Sequence, residues 1–212
     1  MPLSQTVIAE PDWVRAQNPN LWLTLEEMAV LAAWNSEKRK AEWLAGRMAA
    51  KRLLLAELGI KPLDWQIGRE GAAPAMVGLV LPNITFSISH SEGLGAATLS
   101  DKLTEGSAGI DVQHVRPVHP GLCARVFSLG ERQQIKEEFG SENDSAGMLL
   151  FWALKEAAIK ARRLPWGRSL QSISVRLVSP GSSTIFMEGE PLMTARYAHI
   201  GGWWLARAVL PT

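Results

Sequence analysis

FWALKEAAIKA, residues 151–161, lies inside a longer apolar run that predicts a helix over residues 145–163. A buried helix does not need charged side chains, because removing a charge from water costs free energy unless the charge is paired. The segment nevertheless contains Lys155, Glu156 and Lys160. These three charges need an explanation, and it bears on both fold and function.

An ordinary surface ion pair is one explanation. Glu156 precedes Lys160 by four residues, the favourable order on one helix face, and an exposed pair of this kind stabilises a helix by about 0.3–0.5 kcal/mol. The other explanation rests on the large apolar side chains nearby, which weaken the case for a solvated face: Phe151, Trp152, Leu154 and Ile159. A carboxylate at the edge of a core is a candidate metal ligand or general base.

Around this segment, helices and strands are predicted in blocks rather than in regular alternation. Residues 1–22 are rich in proline and are predicted to be irregular. Helices are predicted over residues 24–33, 36–58, 128–138 and 145–163, with Thr24 and Ser36 capping the first two. Strands are predicted at DWQIG, ITFSISH, GLGAATLS and SAGIDVQHV, and as three or four runs between residues 172 and 209. This pattern indicates an α+β fold.

Composition excludes some classes of function. The 212 residues suffice for one large domain or two smaller halves. Lys and Arg number 22 against 21 Asp and Glu, and this balance argues against a protein devoted to nucleic acid or to an acidic membrane. Cys123 is the single cysteine, so no internal disulfide forms and a reducing compartment is expected. No signal-peptide pattern and no apolar run near the ~18 residues of a membrane span are present, so the expected location is the cytoplasm.

GIDVQ, residues 109–113, is a second unusual stretch. As a strand it places Gly109, Asp111 and Gln113 on one face and two β-branched residues on the other. Aspartate is depleted in strands, so Asp111 in this position needs a reason. Exposure on an edge strand is one reason, and ligation of a hard cation such as Mg²⁺ is the other.

FSISHS, residues 86–91, alternates serine hydroxyls with Phe86, Ile88 and His90. A strand that ends in Ser89 and His90 offers hydrogen-bond donors to a phosphate, although a local hydrogen-bond network explains the same residues.

The helix predicted over residues 36–58 has a basic face. Lys40, Arg47 and Lys51 are spaced by seven and four residues and therefore share that face. Like charges four residues apart cost a few tenths of a kcal/mol. A bound polyanion would offset this cost, and a solvated basic face is the simpler alternative.

In this order and at this spacing, FSISHS, GIDVQ and FWALKEAAIKA resemble the three signature blocks of the 4′-phosphopantetheinyl transferases, SxSH, GxDxE and WxxKExxxK. WLAGRMAAK and RVFSLGER resemble two further segments of the family, so the resemblance covers about residues 43–163. The chain is similar to the two-halved, broad-specificity branch of the surfactin-synthetase-activating type. The last block is the most specific, because all four of its residues are present.

The resemblance implies an α+β fold of two similar halves, residues 1–105 and 106–212, related by a pseudo-twofold axis with the ligand site in the cleft between them. The implied reaction moves 4′-phosphopantetheine from coenzyme A to a serine of an apo acyl or peptidyl carrier protein and releases 3′,5′-ADP. Mg²⁺ is the implied cofactor, coenzyme A the co-substrate and the carrier the partner. Neither nucleic acid nor membrane is an expected partner, and a monomer is expected.

Site residues follow from the resemblance position by position. It implies catalytic roles for Asp111, Glu156 and Lys160, with Glu156 acting as general base directly or through a metal-bound water. Asp111 and Glu156 are the implied metal ligands, and Gln113 completes the set where the family has a second carboxylate. The implied contacts to coenzyme A and its diphosphate are Arg47, Lys51, Ser89, His90, Lys155 and Lys160.

Two residues depart from the family pattern. Gln113 replaces the glutamate of GxDxE, and Ala73 stands where a lysine often precedes proline. Gln113 favours an alternative function for the chain, that of a non-catalytic paralogue that binds coenzyme A or a carrier protein. Asp111 and Glu156 favour the enzyme. A nucleic-acid-binding module is a third alternative, which the near-zero net charge opposes.

Overall fold

Two compact units, Met1–Thr104 and Glu105–Thr212, make up the chain in a computed structural model. The structure describes residues 6–70, 73–119, 121–164 and 170–212. Each unit packs helices against antiparallel strands around a hydrophobic core of its own. The predicted α+β fold class is therefore confirmed.

In the first unit, a strand and helices precede four further strands. These elements are β1 (Thr6–Ala9), α1 (Pro11–Ala16), α2 (Leu25–Ala33), α3 (Glu37–Leu58), β2 (Gln66–Glu70), β3 (Ala73–Val77), β4 (Ile84–Ser91) and β5 (Leu94–Asp101), with short 3-10 helices at Pro19–Leu21 and Pro62–Asp64. Strands β1, β5 and β4 form an antiparallel sheet in that order, and β2 pairs with β3.

The second unit has the same succession of elements. They are β6 (Ser107–His114), α4 (Gly121–Val126), α5 (Leu129–Phe139), α6 (Ser145–Arg162), β7 (Ile173–Ser179), β8 (Ser182–Met187), β9 (Glu190–Ile200) and β10 (Trp203–Leu210). One antiparallel sheet joins the strands in the order β6-β10-β9-β8-β7. In both units the first strand of the unit pairs with its last strand.

Capping residues start the helices where the sequence predicts them. Thr24 and Ser36 accept the N-terminal amides of α2 and α3, and Ser128 does the same for α5. Two of these caps are complete capping boxes, Thr24 with Glu27 and Ser128 with Glu131, in which the glutamate also accepts from the cap amide.

Glycines set the distance between the long helices and their sheets. A Cβ atom on Gly95 of β5 would lie 2.0 Å from the carbonyl oxygen of Ala45 in α3. A Cβ atom on Gly109 of β6 would lie 2.1 Å from the carbonyl oxygen of Ala157 in α6. Only glycine allows helix and strand to approach this closely, and the approach brings side chains of α6 to the middle of β6.

The expectation that residues 1–22 are irregular is wrong for the described part of that segment. Thr6–Ala9 forms β1 and Pro11–Ala16 forms α1. Strand β1 exists because it pairs with β5, where Thr6 lies opposite Thr98. A partner so distant in sequence leaves no local signal.

No helix in the described part of the chain is long and apolar enough to cross a membrane.

Candidate active site

Asp111 lies in the middle of β6, where Ala206 of β10 is its neighbour across the sheet. The residue is only 1% exposed, so the alternative of an exposed edge aspartate is excluded. Helix α6 packs directly on β6 through Gly109 and carries Glu156, which is 6% exposed. The strand therefore supplies one buried carboxyl group and the helix supplies another.

Lys160 and Gln113 both contact Asp111. The Lys160 ammonium lies 2.6 Å from Asp111 Oδ1, and the Gln113 amide donates to Asp111 Oδ2 at 2.8 Å. The indole of Trp152 donates to Glu156 Oε1, and a hydrogen bond also joins the carboxyl groups of Glu156 and Asp111. The structure thus brings together in the second unit the four residues predicted there as catalytic or metal-ligating.

Burial, together with the smaller effect of the neighbouring Asp111, raises the pKa of Glu156 to about 8, against the opposing effects of Lys160 and Trp152. Two carboxyl groups in contact with one ammonium favour an additional cation. The oxygen donors fit Mg²⁺, which proteins often hold with one or two carboxylates while substrate phosphates complete the shell. Among the described residues no group of three or more His, Cys, Asp or Glu could hold a metal ion. The contacts at this position bring together two carboxyl groups and the Gln113 amide.

The expectation that Lys155 contacts coenzyme A or its diphosphate is corrected by the structure. Its side chain is 1% exposed, and its ammonium lies 2.9 Å from Glu131 Oε2. It also donates to the carbonyl oxygens of Val126 at 2.9 Å and Leu170 at 3.0 Å. These acceptors use all three hydrogens of the ammonium, so none is left for a phosphate.

The expectation that Lys51 contacts coenzyme A is corrected for the same reason. Its side chain is completely buried, and its ammonium lies 2.5 Å from Glu27 Oε2. It also donates to the carbonyl oxygens of Pro62 at 2.7 Å and Trp65 at 2.9 Å. Lys51 therefore belongs neither to a solvated basic face nor to a coenzyme A phosphate contact.

Arg47 stays partly accessible, with 20% of its side chain exposed. The guanidinium stacks on Trp43, 3.6 Å from the ring centroid, and its Nε lies 3.9 Å from Glu27 Oε1. Burial, with a smaller effect of the positive charge of Arg69 on β2, lowers the pKa of Arg47 to about 10, against the opposing effect of Glu27. The proximity of two like charges makes Arg69 a candidate anion contact that the sequence analysis missed.

His90 and Ser89 lie at the end of β4, beside α3. His90 is exposed and Ser89 is buried. A Cβ atom on Gly46 would be 3.4 Å from His90 Cδ2, so the imidazole packs next to the residue that precedes Arg47. The first unit thus places His90 near the helix position that carries Arg47.

Buried partners of the two lysines are the other residues that the sequence analysis missed. Glu27 and Glu131 are 3% and 1% exposed, although both occupy the usually solvated first turn of a helix. The signal available for them is the capping box, TxxE and SxxE, which predicts the cap but not the burial.

Comparisons with known proteins show the family of the chain. Residues 26–100 match the family model of the 4′-phosphopantetheinyl transferase N-terminal domain, and residues 107–208 match that of the 4′-phosphopantetheinyl transferase superfamily. The 4′-phosphopantetheinyl transferase AcpT of Salmonella typhi is 33% identical over 160 residues, which cover 74% of this chain and 75% of the relative. The chain belongs to the 4′-phosphopantetheinyl transferase superfamily.

Two further matches have lower sequence identity. The 4′-phosphopantetheinyl transferase psf-1 of Bacillus pumilus is 27% identical over 159 residues, covering 70% of this chain and 66% of the relative. The solved holo-[acyl-carrier-protein] synthase of Thermotoga maritima is 22% identical and aligns with a TM-score of 0.41 over 50% of this chain and 63% of its own.

Proposed function

We propose that the protein transfers 4′-phosphopantetheine from coenzyme A to a serine hydroxyl of an apo acyl or peptidyl carrier protein, with release of 3′,5′-ADP. The observation that carries the proposal is the cluster of Asp111, Glu156 and Lys160 in a member of this superfamily. It combines two contacting, buried carboxyl groups with an ammonium, which are the groups that transfer from a diphosphate requires.

Mg²⁺ would be held by Asp111 and Glu156, with the Gln113 amide on the ion or on one of its waters. When bound, it supplies positive charge that neutralises the diphosphate and keeps both carboxyl groups ionised. Lys160 holds an oxygen of the diphosphate. Glu156 accepts the proton of the carrier serine, whose oxygen bonds to the phosphorus next to the pantetheine while the bond to the bridging oxygen of 3′,5′-ADP breaks. Trp152 orients the Glu156 carboxyl group for this proton transfer.

Coenzyme A recognition falls to the first unit in this proposal. Arg47 and His90, with Ser89 beside them, contact the phosphates, and Arg69 supplies a second cation in place of the buried Lys51. Residues 1–105 and 106–212 are the proposed functional halves of a cytoplasmic monomer whose partners are coenzyme A and the carrier, with no nucleic acid or membrane involved.

The test is the mass of an apo carrier protein after incubation with coenzyme A, Mg²⁺ and the protein. Acyl and peptidyl carriers are assayed separately, and Asp111→Asn is the matched control. We expect a gain of one phosphopantetheine group on at least one carrier type with the wild type and almost none with Asp111→Asn. A wild type that binds coenzyme A but modifies no carrier at any Mg²⁺ concentration would contradict the proposal.

That outcome would favour the alternative function, a non-catalytic paralogue that binds coenzyme A or a carrier. Gln113 is the observation in its favour, because the loss of a formal charge weakens metal binding. If the wild type were inactive and Gln113→Glu restored transfer, this result would establish the non-catalytic paralogue.

A further inference from the structure

Each unit contains a buried ion pair that the proposed reaction does not use. In the first unit, Glu27 closes the capping box of α2, pairs with Lys51 at 2.5 Å and accepts from the backbone amide of Ile67 at 3.0 Å. Lys51 fills its remaining positions with the carbonyl oxygens of Pro62 and Trp65. The pair therefore ties together α2, α3 and the beginning of β2.

The second unit repeats this arrangement with different residues. Glu131 closes the capping box of α5, pairs with Lys155 at 2.9 Å and accepts from the backbone amide of Val175 at 2.9 Å. Lys155 also donates to the carbonyl oxygens of Val126 and Leu170. This pair ties together α5, α6 and β7.

Stability alone does not explain two such pairs. Buried ion pairs are often no more stabilising than apolar side chains of the same volume, because both charges lose their hydration. What a fully satisfied pair provides is a defined position: each lysine fixes the rotation of its long helix through three acceptors outside that helix.

Residues next to the two lysines show what is being positioned. In α3, Arg47 lies one turn before Lys51, and its Nε is 3.9 Å from the same Glu27 carboxylate. In α6, Glu156 directly follows Lys155 and reaches Asp111. One pair thus adjoins a partly exposed cation, and the other adjoins a buried carboxyl group.

We infer that the two pairs are positioning devices with different targets: Glu27–Lys51 holds Arg47 toward the phosphates of coenzyme A, and Glu131–Lys155 holds Glu156 against Asp111. The inference rests on the proposed function for the identity of the ligand. Neither pair touches substrate, so Lys51 and Lys155 act through the helices that carry them.

The experiment compares two double variants, Glu27→Gln/Lys51→Met and Glu131→Gln/Lys155→Met. Both charges are removed together, so no unpaired charge stays buried, and glutamine keeps an acceptor for the strand amide. For each variant, kcat and KM for coenzyme A are measured at saturating carrier, and the Kd for coenzyme A is measured by calorimetry. Ile185→Ala, a truncation of a buried residue of β8 outside both pairs, controls for general loss of stability.

The first double variant is expected to raise KM and Kd for coenzyme A about tenfold with kcat within about twofold of the wild type. The second is expected to lower kcat at least about tenfold and leave the Kd within about twofold, because a small displacement of a reacting group is costly. Ile185→Ala is expected to keep wild-type kcat and KM below its melting temperature.

Equal changes of kcat and Kd in both double variants would overturn the inference, as would a second variant no slower than Ile185→Ala. If a double variant does not fold by circular dichroism, Glu27→Gln and Glu131→Gln alone replace it and must show the same division at smaller size. A wild type that binds coenzyme A without transfer would refute the proposed function instead, and the calorimetric comparison would still decide the role of Glu27–Lys51.

Discussion

Helices α3 and α6 occupy equivalent places in their units, but they present different chemistry. Each is anchored by one buried lysine, Lys51 or Lys155, to a capping-box glutamate. One turn before Lys51 stands Arg47, whereas the same position in α6 is the buried Phe151. Directly after Lys155 stands the buried Glu156. A shared scaffold therefore carries a partly exposed arginine, the proposed anion contact, in one unit and a buried carboxyl group in the other, and single positions on the helix make the difference.

Removal of either carboxyl group of the second unit, Asp111 or Glu156, has the largest expected effect and tests its proposed catalytic role. We expect Asp111→Ala and Glu156→Ala each to lower Mg²⁺-dependent turnover about 100-fold or more, because proton transfer and charge neutralisation are both lost. Circular dichroism should show an intact fold. Turnover is measured by mass spectrometry of the carrier, and a near-normal rate in either variant would remove that residue from the mechanism.

Substitution of Arg47 tests the proposed binding of coenzyme A by the first unit. Arg47→Ala should weaken coenzyme A binding about tenfold, the size of one charge-assisted hydrogen bond, and should weaken dephospho-coenzyme A less if the guanidinium touches the 3′-phosphate. Calorimetry with both ligands measures this. Arg52→Ala is the matched control, because Arg52 lies in the same helix as Arg47 but packs over Trp13 of α1, and its removal should change neither affinity.

Equal losses for the two ligands would move the Arg47 contact from the 3′-phosphate to the diphosphate. Unchanged affinity for both would make Arg47 a structural residue, held by its stacking on Trp43.

Glu156 should make the stability of the metal-free protein depend on pH. Folding raises its pKa from the usual 4.5 to about 8, so between these values the folded protein binds more protons than the unfolded chain. The contribution of Glu156 to the free energy of unfolding is therefore fully present below about pH 4.5 and is lost as the pH rises through about 8.

Thermal melts in a chelator measure this contribution. The melting temperature of the wild type should fall over that range more steeply than that of Glu156→Gln, which cannot ionise. Parallel curves for the two proteins would show that the carboxyl group is not held protonated by its surroundings.

Gln113 should give the smallest effect. Its amide contacts Asp111 but brings no formal charge to the ion. We expect Gln113→Glu to lower the Mg²⁺ concentration for half-maximal rate several-fold, and Gln113→Ala to slow transfer far less than Asp111→Ala. A Mg²⁺ titration of carrier modification measures all three. If Gln113→Ala were as inactive as Asp111→Ala, two carboxylates would not suffice to hold the ion.

Local sequence alone determined much of the architecture. Helices α2, α3, α5 and α6 were predictable because a side-chain cap and an apolar run are read from neighbouring residues, as at Thr24 and Ser36. Strands β4, β5 and β6 and the four C-terminal strands were likewise visible in short runs. The grouping of Asp111, Glu156 and Lys160 followed from their motifs, and the contact of Lys160 with Asp111 agrees with it.

Only the tertiary structure decided which charges are buried and what they serve. In the sequence, Lys51 looks like part of a basic face with Arg47, and Lys155 looks like a neighbour of the active site. Their ammonium groups in fact meet Glu27 and Glu131, from helices separate in sequence, together with backbone carbonyl oxygens that no local pattern predicts. The physical reason is that a charge can leave water only where several distant segments converge to replace its hydration, and such convergence is a property of the folded chain.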